Sequence, residues 1–191
     1  QEIGPTIFEF TLEDAIRKGI LCQFDYSALP YKLTDEDKEA IRQAIRRHHA
    51  RRAAGEAVSD ETLYREIAAV RKTSVAKIPP FRQHLTERPE LYERALIFVE
   101  TREYGEEIQK HLLEAGIVFG TYYQGAEAYR LREFANGRLQ CLVSCHRLSE
   151  GIDIKSVSNI VLFASARAKL ETIQRLGRCL RVDPANPEKR A

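Results

Sequence analysis

Ala95-Leu96-Ile97-Phe98-Val99-Glu100-Thr101-Arg102 is the stretch on which the fold turns. An apolar run this short, bounded by polar residues, reads as a strand. Because it is apolar at every position, both of its faces are covered, as in a parallel sheet. Thr101 has the side chain of a helix N-cap, which accepts from the free N–H groups of the turn that follows. The helix predicted over 102–114 is closed by Gly116, since glycine takes the left-handed backbone of a helix end. The texture then repeats as a strand at 117–123, a helix at 126–135, strands at 139–144 and 159–164, and a closing helix at 170–180. Such alternation with short connections predicts an α/β fold, a parallel sheet flanked by helices whose ligands bind at the carboxyl ends of the strands.

Two polar clusters flank the last of these strands. Leu148-Ser149-Glu150-Gly151-Ile152-Asp153 precedes it, and Gln174-Arg175-Leu176-Gly177-Arg178-Cys179-Leu180-Arg181 follows. Arg175, Arg178 and Arg181 recur every third residue, so a helix places them on neighbouring faces with Gln174 one turn before Arg178. Guanidinium forks suit phosphate oxygens, offering paired donors and a charge that does not titrate away. Taken alone, the second cluster also reads as a basic helix end, because cations stabilise helix C-termini. Gly151-Ile152-Asp153 alone also reads as a plain turn.

Together the clusters resemble motifs V and VI of the superfamily 2 helicases and translocases, where Glu-Gly-x-Asp precedes Gln-x-x-Gly-Arg-x-x-Arg. The resemblance implies the second of two RecA-like (P-loop NTPase-like) domains and a set of roles. Gly151 lets the backbone approach the nucleotide, and Asp153 accepts from its ribose or from a neighbouring arginine. Gln174 orients the attacking water, Arg178 and Arg181 stabilise charge on the transferring γ-phosphoryl group, and Arg175 links the two motor domains. The implied ligand is ATP with Mg2+, the magnesium being held by the first domain. No GxxxxGK[ST] loop and no DExH or DExD box occurs in this sequence; both are expected on that preceding domain.

Three further strand ends carry candidates. Ile97 to Arg102 resembles helicase motif IV, which implies that Thr101, Arg102 and the first amides of the helix hold a nucleic-acid phosphate. Capping alone also explains Thr101. Tyr122-Tyr123-Gln124-Gly125 stands where related motors carry a His-Gly turn. Gln124 is therefore a candidate backbone contact without a titratable role, with an ordinary strand-to-helix turn as the other reading. At Cys141-Leu142-Val143-Ser144-Cys145-His146-Arg147, relatives carry threonine at the position of Cys145, and a thiol is a poorer donor. Ser144, Arg147 or main-chain amides are the candidates to substitute, and His146 is read as structural or strand-contacting rather than as a general base.

Upstream, residues 1–92 read as a lead-in with a helical insert, and residues 93–191 as the RecA-like domain. Residues 7–10 are expected as a short strand, Thr11 to Asp14 as the opening of a helix ended by Gly19, and residues 20–33 as an extended strand. Residues 8–21 are similar to the segment entering the second motor domain of restriction-type and XPB-like translocases. Thr34 is expected to cap a helix to about 52, Ser59-Asp60 a second to about 72, and Pro79-Pro80 to interrupt before a helix at 81–85. The run Arg42 to Arg52 holds five arginines, two histidines and no acid. It reads as a solvated helix face, with contact to a nucleic-acid backbone as the alternative.

The chain has 191 residues, 30% of them charged and 43% hydrophobic, with a net charge of +2 that makes no global case for nucleic acid. Cys22, Cys141, Cys145 and Cys179 show no CxxC pairing, so they read as buried thiols of a reducing cytosol rather than as a zinc site; no metal ligand is assigned. No apolar run spans a bilayer. The chain begins at Gln1 and contains no methionine, which is the reading of a fragment lacking the first RecA-like domain and inactive alone. The expectation is the C-terminal motor domain of an ATP-dependent DNA helicase or translocase of the restriction or XPB type, cytoplasmic, whose partners are DNA and the first RecA-like domain of the same chain. The alternatives are an RNA helicase domain of the same superfamily and a non-catalytic nucleic-acid or protein interaction module that retains the fold.

Overall fold

The computed structural model describes residues 11–123, 129–145, 157–163 and 182. At its centre is a parallel four-stranded sheet in the order β2-β3-β1-β4, formed by β1 (Ala95–Val99), β2 (Phe119–Tyr122), β3 (Cys141–Cys145) and β4 (Asn159–Leu162). Ala95 pairs with Cys141 on one side and Asn159 on the other, and Val99 pairs with Cys145. All five residues of β1 are buried, as the continuous apolar run requires. Successive strand residues point to opposite faces, and two cores result. Ala95, Ile97 and Val99 pack with Phe81, Leu85, Tyr104, Ile108 and Leu112, while Leu96 and Phe98 pack with Phe134, Leu142 and Val157.

The helices are α1 (Leu12–Arg17), α2 (Asp35–Ala53), α3 (Asp60–Lys72), α4 (Ile78–Glu87), α5 (Arg102–Glu114) and α6 (Tyr129–Ala135). In α5, Thr101 accepts from the Tyr104 N–H at 3.2 Å, and Tyr104, Ile108 and Leu112 form the buried stripe at four-residue spacing. Gly105 lies on the same stripe because nothing larger fits. A Cβ there would stand 2.3 Å from the Tyr123 hydroxyl and 3.1 Å from Val99 Cγ2. Arg94, just before β1, has a φ of +54°, and its guanidinium donates to the carbonyls of Phe134 and Ala135 at 2.8 and 3.1 Å. It thereby closes the carboxyl end of α6.

Two of the three expected caps of the lead-in form capping boxes, Thr11 with Asp14 and Thr34 with Asp37. Ser59 stands at the N-cap of α3 but makes no side-chain cap bond. Two expectations fail. Residues 20–33 are not a strand: only Leu21 forms an isolated bridge, and Tyr26 is 83% exposed. β-Propensity needs a partner strand, and Pro30 supplies no ladder donor. Nor do Pro79 and Pro80 interrupt a helix. They lie in the first turn of α4, which begins at Ile78, where the missing N–H groups have no intrahelical acceptor anyway.

The expected strand at 7–10, the Glu150–Asp153 turn and the helix at 170–180 lie outside the described residues. Among the described residues, no helix is long and apolar enough to cross a membrane.

Candidate functional site

Because the strands are parallel, their carboxyl ends share one rim. In sheet order it carries Tyr123 after β2, Cys145 at the end of β3, Glu100-Thr101-Arg102 after β1, and Phe163 after β4. The Cys145 thiol donates to the Glu100 carbonyl at 2.9 Å, joining the β3 end to the start of α5. The exposed Arg102 guanidinium pairs with Glu106 at 3.0 Å and lies 5.9 Å from the centre of the Tyr123 ring. The Tyr123 hydroxyl accepts from Gln109 at 2.8 Å, and burial pushes its phenol up to about 12. Glu103, in the first turn of α5, is held below the usual carboxylate range by its own backbone N–H and the Thr101 hydroxyl. A phosphate bound at this helix start would have to share those donors with it.

At the other end of the rim the lead-in meets the sheet through polar contacts. Lys72 pairs with Glu100 at 2.9 Å, both side chains being largely buried. Ser74, 2% exposed, donates to Asp37 of α2 at 2.5 Å, and its carbonyl accepts from the Tyr104 hydroxyl at 3.0 Å. Burial raises the Tyr104 phenol above its ordinary value. Lys77 donates to the Phe163 carbonyl at 2.6 Å and to the Lys72 carbonyl at 3.1 Å. Its ammonium is pushed down to about 8 by burial, against the opposing pull of Glu100 and Asp37.

Residues 76–183 match the helicase conserved C-terminal domain. The chain belongs to that family. This helicase domain is 37% identical over 71 residues to the ATP-dependent RNA helicase dbp-5 of Neurospora crassa, a match over 35% of the chain and 15% of that protein. It is 33% identical over 107 residues to the ATP-dependent helicase Lhr-Core protein 2 of Thermococcus barophilus, over 50% of the chain and 12% of that protein. The chain thus spans only a small part of either relative. The solved C-terminal domain of the Sulfolobus solfataricus SWI2/SNF2 ATPase is similar in fold, with a TM-score of 0.55 at 14% identity, covering 70% of this chain and 68% of that one. The fold is accordingly that of a superfamily 2, C-terminal RecA-like domain.

Among the candidates read from the sequence, the helicase domain brings Thr101, Arg102 and Cys145 together on the rim. Ser144 sits one residue further in, fully buried, with its hydroxyl donating to the Tyr122 carbonyl at 2.9 Å. That hydroxyl secures the β2–β3 pair and is not presented to a ligand. Gln124, Arg147, Gly151, Asp153, Gln174, Arg175, Arg178 and Arg181 lie outside the described residues. Among the described residues no three His, Cys, Asp or Glu side chains stand together as a metal set. Sequence reading did not single out Lys72, Lys77 or Glu100. Glu100 had a local signal, as the acid directly after a buried strand at the ligand end of the sheet. The two lysines had none, because their partners are far away in sequence.

Proposed function

We propose that the chain is the second motor half of an ATP-dependent DNA translocase or helicase, a RecA-like domain at 93–191 with the lead-in at 1–92. Nucleic acid lies along the rim at Thr101, Arg102 and Cys145, and Gln124 and Arg147 are assigned to it as well. ATP lies between this domain and a first RecA-like domain of the same protein. Gly151 and Asp153 receive the nucleotide, Gln174 orients water, Arg178 and Arg181 meet the γ-phosphate, and Arg175 organises the domain contact. The donor set assigned to the nucleotide is rich in guanidinium groups and suits a polyphosphate. The magnesium, which would neutralise charge between the β- and γ-phosphates, is assigned to acidic groups of the first domain. Making the arginine contacts only when the two domains close is what couples hydrolysis to movement.

The observation that carries this reading is the shared rim. Parallel pairing sets the motif IV residues Thr101 and Arg102 beside Cys145, the entrance to the Glu-Gly-x-Asp cluster, within a chain of helicase family. A second reading is an RNA-directed helicase, favoured by the 37% identity over 71 residues to a protein named as an RNA helicase. ATP turnover by the full-length protein, stimulated in parallel by DNA and by RNA, separates the two. Stronger stimulation by RNA would overturn the DNA assignment and leave the motor assignment standing.

A further inference from the structure

β4 leaves the sheet at Phe163, and three elements hold that residue. Its N–H donates to the Phe98 carbonyl at 3.0 Å, the last step of the ladder with β1. Its ring packs edge-on against Phe81 of α4 and Tyr104 of α5, with centroids 5.0 and 5.7 Å away. Its carbonyl, beyond the reach of that ladder, accepts from Lys77 Nζ at 2.6 Å. The same ammonium donates to the last carbonyl of α3, at Lys72, and lies 5.4 Å from the centre of the Tyr31 ring. Lys72 in turn pairs with Glu100, the residue before Thr101. The half-buried Lys77 therefore bridges the base of the α2–α3 hairpin and the strand end from which the sequence runs on to Gln174 and the arginines.

We infer that Lys77 is a positioning residue of the motor, its ammonium fixing the point at which the chain leaves β4 toward the arginine cluster and tying that point to the motif IV loop through Lys72 and Glu100. A salt-bridged surface lysine would not do this. The donor here is half-buried and reaches main-chain carbonyls, so it constrains backbone. The charged groups facing it are Glu100 from the β1–α5 connection, Asp37 from α2 and Lys72 from α3. Glu100 and Asp37 favour the ammonium, whereas Lys72 and burial oppose it. The charge is present below a pH of about 8 and is lost as pH rises through that value. Deprotonation removes the field that aligns the two carbonyls, while the native state becomes no less stable, because burial already disfavours the charge. Turnover and stability should therefore part company in alkali.

This inference rests on the motor reading, and the test keeps the two apart. In the full-length protein, nucleic-acid-stimulated ATP turnover is measured against pH for wild type, Lys77→Met, Lys77→Arg and Arg178→Ala, with nucleic-acid binding in parallel. Lys77→Met should lower kcat by roughly 10-fold or more, the scale on which small misplacements of reacting groups act, with KM for ATP and nucleic-acid affinity little changed. Wild-type turnover should fall as pH rises through about 8. Lys77→Arg should recover most of the turnover and lose that alkaline limb, since a guanidinium does not titrate there. Wild-type kcat in Lys77→Met, or an alkaline limb that persists in Lys77→Arg, overturns the inference while an inactive Arg178→Ala leaves the motor reading intact. If Lys77→Met fails to fold, the Lys77→Arg profile decides alone. A wild-type protein without stimulated ATP turnover overturns both.

Discussion

The sheet and the α2–α3 hairpin differ in how completely they bury their apolar residues, and the contrast predicts how each tolerates substitution. β1 is buried along its whole length, between Ile108 and Leu112 on one face and Phe134 and Leu142 on the other. Hydrophobic burial of this kind is the dominant favourable term in folding. The hairpin has no buried residue in α3 and only Ala44 and His48 in α2. Its helices carry the half-buried apolar residues Ile41, Ile45, Leu63, Ile67 and Val70, and ion pairs run between them: Arg47 meets Glu66 at 3.1 Å, Arg52 meets Asp60 at 2.9 Å, and His48 shares Asp60 at 3.0 Å. The basic run of α2 is thus largely answered by acids of its own hairpin, which favours the reading of a structural face over a nucleic-acid track. Among the described residues, the hairpin's base is tied to the sheet through Asp37, Lys72, Ser74 and the adjoining Lys77.

Substitutions in the two regions should differ accordingly, read as urea midpoints by circular dichroism. Ile108→Ala empties a fully buried site and should cost about 2–5 kcal/mol; a cost near that of a surface change would mean that α5 is not packed as described. Gly105→Ala forces a methyl against the Tyr123 hydroxyl and Val99, and should cost about 1–3 kcal/mol. Tyr123→Phe in the same background should recover part of that loss, because the hydroxyl is the nearest clashing atom. Arg94→Ala removes the guanidinium donor to the Phe134 and Ala135 carbonyls, of which Phe134 keeps the Gly137 N–H at 3.0 Å, and should cost about 0.5–1.5 kcal/mol. Arg94→Gly should cost less than Arg94→Ala, since glycine takes a φ of +54° freely. Arg47→Ala in the hairpin should cost about 0.5 kcal/mol or less, because both partners of its ion pair are well exposed. A loss as large as that of Ile108→Ala would erase the distinction between the two regions.

The same division decides what was legible in the sequence. β1 and α5 could be read almost to the residue, since a continuous apolar run, Thr101 and Gly116 are local signals with local causes. The parallel sheet follows from that continuous apolar run together with the alternation of strands and helices. Pro79 and Pro80 were misread because a proline breaks a helix interior but suits its first turn, and sequence does not say which turn it occupies. Residues 20–33 were misread because a strand needs a partner edge as well as apolar residues. The Lys77–Phe163 contact spans 86 residues, and no pattern around either residue announces it. At the candidate site, Thr101 was legible as a helix cap, while a ligand role for it and for Arg102 was implied only by the resemblance to motif IV. That the Ser144 hydroxyl turns inward to Tyr122 depends on which strand lies alongside β3, and it became visible only with the sheet order.

In the proposed motor this domain supplies one side of an ATP site, with Arg178 acting on the transferring phosphate. The most direct measurement is nucleic-acid-stimulated ATP turnover of the full-length protein carrying Arg178→Ala, alongside wild type, with nucleic-acid binding followed by fluorescence anisotropy. The account predicts turnover reduced by a factor on the order of 10³–10⁵ with nucleic-acid affinity largely retained. Turnover that survives the substitution would contradict it.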